Sequence, residues 1–351
     1  MTTTSDTGDS VAGRYALEIE GEHACWLSTF EGGHATSDVV VEKVGAQAPV
    51  NKHLGGVVMY EPISFTFGAD MSSKLFDWIR GTLAHDWKRK SGAIVAHDYN
   101  GQEMSRLEFT NALVTEIDLP DLDASSQRSA QLTVRCAVES TRLMQGARGS
   151  GPHPTAATKQ RRWLASNFRL TIDGLDCRSV SKVESMAIKL VTSEGSSGEQ
   201  RTSTVVPSHV ETPDLVVTLP QSGSGDFMQW HQDFVIKGNN SSSKEKSGKL
   251  EYLDPSLQST LFAVGFHNLG IYKWTPGKIG ASSEVPHVTV KMYCHEMELI
   301  PEFVESAPVG GTPSHPSGVD QQALKSTAST RLPARQQSFT GVRQPTRYDA
   351  N

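Results

Sequence analysis

Apolar and polar residues alternate along most of this chain. Tyr15, Leu17 and Ile19 are interleaved with Ala16, Glu18 and Glu20, the period of two that places alternate side chains on opposite faces of a strand. Val39-Val40-Val41 and Val57-Val58-Met59-Tyr60 are short strand-forming runs. Ile63, Phe65 and Phe67 alternate with Ser64 and Thr66, and Gly68-Ala69-Asp70 is read as the end of that strand. The period then changes. Leu75, Trp78, Ile79 and Leu83 stand at i, i+3, i+4 and i+8, which predicts a helix with one buried stripe, and Ser72 or Ser73 is placed to cap it. Strand spacing resumes at Ala93 to His97. Tyr99-Asn100-Gly101 predicts a hairpin turn. Arg106 to Asn111, Leu113 to Ile117 and Gln131 to Val138 read as further separate strands.

The same order then recurs. Tyr15-x-Leu17-x-Ile19-x-Gly21 returns as Phe168-x-Leu170-x-Ile172-x-Gly174, an offset of 153. Pro62 and its alternating run return at Pro213, an offset of 151, and Trp78 returns as Trp230 in a second helix slot, Phe227 to Phe234. Ser91-Gly92 returns as Ser247-Gly248, after a polar Lys237 to Ser247 insertion. Phe109-x-Asn111 returns as Phe266-x-Asn268, an offset of 157, and Leu132 to Arg135 as Val288 to Lys291. Two copies of one domain are expected, since a period this long is not that of a short-unit solenoid. Each copy should be mainly β, a barrel or sandwich capped by one helix.

Domain boundaries follow from composition. Residues 1–13 are a polar lead, 14–144 the first copy, 145–160 a Gly- and Pro-containing linker, and 161–303 the second copy. Residues 304–351, rich in Ser, Thr, Pro, Gly and Gln, are expected to form a disordered tail. At 351 residues with 37% hydrophobic and 21% charged residues, both copies are large enough to bury a core. A net charge of −6 gives no bulk argument for nucleic acid or an anionic membrane. Met1 to Ser10 lacks an apolar core, so no signal peptide is expected, and no apolar run reaches membrane-spanning length. The 4 cysteines, Cys25, Cys136, Cys177 and Cys294, are too few for a disulfide framework and read as reduced core residues.

The first copy resembles the tail tube proteins of contractile phage tails and extracellular contractile injection systems. The resemblance runs from Tyr15 to Gly146 and is carried by Leu75-Phe76-Asp77-Trp78, Lys90-Ser91-Gly92-x-Ile94-x-x-x-Asp98-x-x-Gly101, Phe109-Thr110-Asn111-Ala112 and Leu122-x-Ala124-Ser125. Leu113-Val114 stands where the family usually has Trp-Pro. The second copy keeps Phe168 to Gly174, Trp230, Ser247-Gly248 and Phe266-x-Asn268 but lacks the Leu-x-Ala-Ser motif, as a diverged duplicate would. The resemblance implies two tandem tube-like β-barrels. It also implies a ring of six barrels around a channel, formed by six chains or, as in hub proteins with two barrels per chain, by three. Expected partners are the chain itself and the tube, sheath, spike or baseplate proteins of a particle. The particle would assemble in the cytoplasm and could be released from the cell.

No residue set predicts catalysis, a metal or a cofactor, and no nucleic acid or membrane partner is expected. His23-Ala24-Cys25 lacks a second pair at metal spacing. Cys294-His295-Glu296 lies in a strand whose alternation should split it between faces. Gly223-Ser224-Gly225-Asp226 lacks the Gly-Lys-Ser/Thr ending of a phosphate loop. Asp118, Asp121 and Asp123 lack the remaining ligands of a calcium loop. The residues expected to matter are structural: Trp78 and Trp230 as core anchors, Gly92 and Gly248, Asn111 and Asn268 in the recurring strand motifs, and Lys88, Arg89 and Lys90 in a charged loop that reads as a solvated face or, alternatively, as a ring or sheath contact. The expected function is a structural subunit of the inner tube or of a tube-initiating or hub-adaptor ring. The alternative is a cargo or effector adaptor that uses a tube-like barrel to enter the particle lumen.

Overall fold

The computed structural model describes residues 14–43, 50–56, 58–98, 101–145, 163–195, 204–277 and 285–301. The expected polar lead, most of the linker, the tail and the first two residues of the Tyr99-Asn100-Gly101 turn lie outside them. All described residues fall in one compact unit, Met1–Val304.

The first half runs β1 (Arg14–Ile19), β2 (Glu22–Gly32), β3 (Ala35–Thr36), β4 (Val39–Lys43), β5 (Val50–Leu54), β6 (Met59–Tyr60), β7 (Ile63–Met71), α1 (Ser73–Leu83), β8 (Lys90–His97), β9 (Glu103–Leu119), β10 (Leu122–Asp123), β11 (Leu132–Ala137) and β12 (Ser140–Gln145). The second half runs β13 (Phe168–Ile172), β14 (Lys182–Val183), β15 (Met186–Gly195), β16 (Thr204–Glu211), β17 (Leu215–Pro220), α2 (Gly225–His231), β18 (Lys246–Leu253), β19 (Thr260–Pro276) and β20 (His287–Pro301). The chain is mainly β, as expected.

In the first half the strands β11-β7-β2-β1-β8-β9 follow one another, and β9 pairs back onto β11, so the sheet closes on itself. Closure removes free edges. Its interior is filled by Leu17, Ile19, Phe65, Phe67, Ile94, Phe109, Ile117 and Val134, all buried. Helix α1 covers one end. Ser72 caps it, its Oγ accepting from Leu75 N at 3.2 Å, and Leu75, Trp78, Ile79 and Leu83 face the core, as their spacing predicts. Each such side chain contributes about 1.5–3 kcal/mol by leaving water.

The second sheet repeats this order and register with one opening. Leu17 pairs with Ile94 and Ile19 with Gly92; their counterparts Leu170 and Ile172 pair with Leu250 and Gly248. Val134 pairs with Phe65 and Ile117; Val290 pairs with Val217 and Trp274. Even the irregularity in the long strand recurs, with Thr115 skipped in the β9–β11 ladder and Tyr272 in the β19–β20 ladder. The run β13-β18-β19-β20-β17-β14 stays open between β13 and β14, where a single Ile172–Leu175 bridge begins the crossing.

Several sequence expectations change. Residues 106–111 and 113–117 are one continuous strand, β9, because Asn111 bends the strand without ending it. β7 runs through Gly68-Ala69-Asp70 to Met71, since β2 continues to supply a partner as far as Cys25 opposite Met71. Of the 57–60 run, Met59–Tyr60 forms a strand, and Val57 lies outside the described residues. The second helix slot is an α-helix that continues as a π-helical turn over Gln232–Ile236.

Candidate functional site

The surfaces that bear on assembly start from one strand. β9 is 17 residues long. Its first part pairs with β8 on one side and β12 on the other, and its last part pairs with β11 on β12's side. Past the end of β8, the margin of β9 is taken by β15 from the second half: Met186 pairs with Leu119, Ala187 with Asp118, Ile188 with Ile117 and Lys189 with Glu116. β15 and β16 form a hairpin, so the second half adds two strands to the first half's sheet. A further pairing, Leu122 with Val183, draws the Leu-x-Ala-Ser segment onto β14.

Asn111 and Asn268 make the long strands bend. Both adopt left-handed backbone, φ 48° and φ 56°, a conformation Asn tolerates better than other residues with a side chain. Asn111 donates through Nδ2 to Glu139 Oε2 at 2.5 Å, and Asn268 donates to Glu245 Oε2 at 2.9 Å. Gly92 and Gly248 sit beside these bends. A Cβ on Gly92 would lie 2.1 Å from the Glu18 carbonyl oxygen and 2.7 Å from the Phe109 ring, and one on Gly248 would lie 2.9 Å from the Thr171 carbonyl oxygen. The recurring Ser-Gly therefore permits close strand approach.

The two tryptophans are buried against their sheets. Trp78 donates from Nε1 to the Lys88 carbonyl at 2.8 Å. Trp230 Nε1 has no hydrogen-bond partner, and Lys246 Nζ sits 5.4 Å from the Trp230 ring centroid. The charged loop splits in role. Lys88 forms an exposed pair with Asp86 at 2.6 Å, which raises its ammonium pKa. Lys90 reaches Glu20 at 3.3 Å. Arg89 donates to the Asn111 carbonyl at 3.1 Å and to the Val205 carbonyl in β16. It thus ties the bend of β9 to the hairpin of the other half, a link no local sequence signal marks.

Helix α1 makes a further contact between halves. Phe76 meets Phe262 of β19 edge-to-face, with ring centroids 6.4 Å apart. An open groove of about 640 Å³ is lined by α1, the 86–90 loop and Glu296–Pro301 of β20. Its lining mixes charged side chains with apolar ones such as Trp78, Leu83, Met297 and Leu299, without a catalytic constellation.

Elsewhere the candidate chemistry disperses. All four cysteines are free and buried; burial pushes the Cys25 and Cys136 thiols far up and those of Cys177 and Cys294 up to about 11. At Cys294-His295-Glu296 the alternation slips, so Cys294 is buried while His295 and Glu296 both face out. Asp121 pairs with Arg128 at 2.9 Å and Asp123 accepts from Ser125. Among the described residues, no three His, Cys, Asp or Glu side chains group as metal ligands, and no helix is long and apolar enough to cross a membrane.

Residues 11–142 match the family model described as T4-like virus tail tube protein gp19. No curated protein matches the chain. Among solved structures, it is similar to a chain of the PVC sheath-tube complex of an extracellular contractile injection system, in the extended state, at 19% identity and TM-score 0.35, over 41% of this chain and 99% of that one. It is similar to a chain of the anti-feeding prophage tube-terminating cap at 15% identity and TM-score 0.36, over 41% and 97%. Hcp1 from Flavobacterium johnsoniae aligns at 14% identity and TM-score 0.24, over 38% and 93%.

Proposed function

We propose that the chain is a structural subunit of a phage-tail-like tube, a reading supported by the match of residues 11–142 to the T4-like virus tail tube model. Its two halves are tandem copies of one tube barrel, the second diverged. The chain works by assembling into a ring and performs no reaction. Three chains supply six barrels to a tube-initiating or hub-adaptor layer, which contacts tube, sheath or baseplate proteins of the same particle. The particle is of the contractile injection kind. Trp78 and Trp230 hold the helix of each copy on its barrel. Gly92, Gly248, Asn111 and Asn268 shape the long strand that bears the ring contacts, and the Lys88-Arg89-Lys90 loop lies beside those contacts.

The observation that carries this reading is the addition of the β15–β16 hairpin to the margin of β9. It is the sort of sheet-edge contact by which barrels join without leaving an open strand. Electron microscopy of the purified full chain, alone and co-expressed with tube and sheath components, tests the reading. Annular particles with threefold or sixfold outline are expected. A monomer at high concentration under both conditions would overturn it.

A further inference from the structure

The contact between the two halves has a vacant counterpart on each side of the molecule. The hairpin β15–β16 corresponds to β3–β4 with β5–β6, because both lie between equivalent barrel strands and share register: Lys189 pairs with Glu211 as Thr36 pairs with Met59. The margin of β9 that accepts β15 is residues 116–119. The matching residues of β19 are 273–276, as Ile117 and Trp274 hold the same place opposite Val134 and Val290. β15 is paired on both sides, by β16 and β9. β3 pairs with β6 alone, and β19 has no strand on its free side at 273–276, among the described residues.

Side-chain exposure follows the same division. Leu299 of β20, under α1, is 4% exposed, whereas its counterpart Leu143 of β12 is 74% exposed. Phe76 of α1 is 2% exposed, whereas its counterpart Met228 of α2 is 41% exposed. Leu83 and Leu261 are likewise buried while Val235 and Met104, in their places, are exposed. At these four positions, the apolar residue buried within the chain has an apolar twin left facing solvent. A surface that is the twin of an existing seam fits the twin of the existing partner.

Resting on the tube reading, we infer that the second seam forms between chains, with the first half of one molecule seated on the second half of the next. The segment 33–36 adds to the free margin of β19 in antiparallel register, Ala35 opposite Trp274 and Thr36 opposite Lys273. Helix α2 covers β12, with Met228 and Val235 over Leu143. The contact is head-to-tail, so each chain offers two different faces and the series closes only as a ring. Backbone pairing fixes the register, because a slip by one residue would turn every side chain to the other face.

The test uses the full-length chain. Thr36→Cys combined with Lys273→Cys introduces two exposed thiols, whereas the native cysteines are buried. Under mild oxidation the double variant should give disulfide-linked chains of two and more, ending at the ring size, and each single variant should give none. Leu143→Asp and Met228→Asp sit at solvent-facing positions of the lone chain and should keep its circular dichroism while weakening association at least tenfold by native mass spectrometry. If wild-type chains form rings but the double variant does not cross-link and Leu143→Asp associates normally, this seam is wrong and the tube reading stands. If wild-type chains form no assembly even with tube partners, the reading beneath it falls as well.

Discussion

Replacing Asn111 by alanine separates the two reasons for an asparagine at the bend of β9. At φ 48° a Cβ without a polar side chain is held in left-handed backbone at a cost of about 1 kcal/mol. The variant also loses the Nδ2 donation to Glu139, worth about 0.5–1 kcal/mol at this exposed site. Asn111→Ala should therefore destabilise by about 2 kcal/mol. Asn111→Gly loses the same hydrogen bond but relaxes the backbone, so it should cost under about 1 kcal/mol. Urea unfolding followed by circular dichroism reads both differences as shifts in midpoint at constant slope. Asn268, at φ 56° with Glu245 as acceptor, provides an internal repeat, and its two variants should rank in the same order. If the glycine variant is as unstable as the alanine variant at both sites, the bend does not depend on left-handed backbone and the account of the long strands fails.

Further expectations concern the tryptophans, two carboxylates and the thiols. Trp78→Phe strands the Lys88 carbonyl and should cost about 1–2 kcal/mol more than Trp230→Phe, whose Nε1 has no partner to lose; equal costs in thermal melts would contradict the assigned hydrogen bond. Asp118 has its pKa raised, first by burial and then by Glu116. Folding disfavours its charged form, so the penalty exists at pH 7 and vanishes once pH falls below the unfolded carboxylate range. Asp118→Asn should raise the melting temperature at pH 7 and leave it unchanged near pH 3. Glu103 is shifted the other way, chiefly by its hydrogen bonds from Arg106. Its contribution is present at neutral pH and lost as pH falls through the lowered value, so Glu103→Gln should flatten the acid limb of the stability curve. Thiol titration of the native chain should label Cys177 and Cys294 before Cys25 and Cys136, following their burial; the reverse order would place the cores wrongly.

The sequence made some elements plain because their signal is local. Leu75, Trp78, Ile79 and Leu83 alone define the buried stripe of α1, and Ser72 marks its start. The alternation in β1, β7 and β11 is equally direct, since one face of each looks into a closed barrel. The β9 strand was legible only as two pieces, because a left-handed residue shifts the phase of alternation at Asn111 and a bulge shifts it again at Thr115. The joining of halves left no trace in periodicity. Ile188 and Lys189 alternate like any strand residues, and nothing in them names Ile117 and Glu116 as neighbours. Arg89 stood within a run of charge that reads as solvated, yet its guanidinium meets two carbonyls, one of them 116 residues away. Recurrence of the same landmarks in the same order, at offsets of 151 to 157, was the clue to a shared strand order; which strand margins meet is decided by tertiary geometry.

Because β9 is clasped by strands of both halves, β8, β11 and β12 from the first and β15 from the second, neither half can melt while the other keeps its full complement of amide partners. Denaturation should spread from one half into the other as a single event, and the amides of residues 105–118 should be the last to exchange with deuterium. Severing the peptide between β12 and β13 would then yield two fragments that copurify, held by a woven β-sheet instead of a covalent tether.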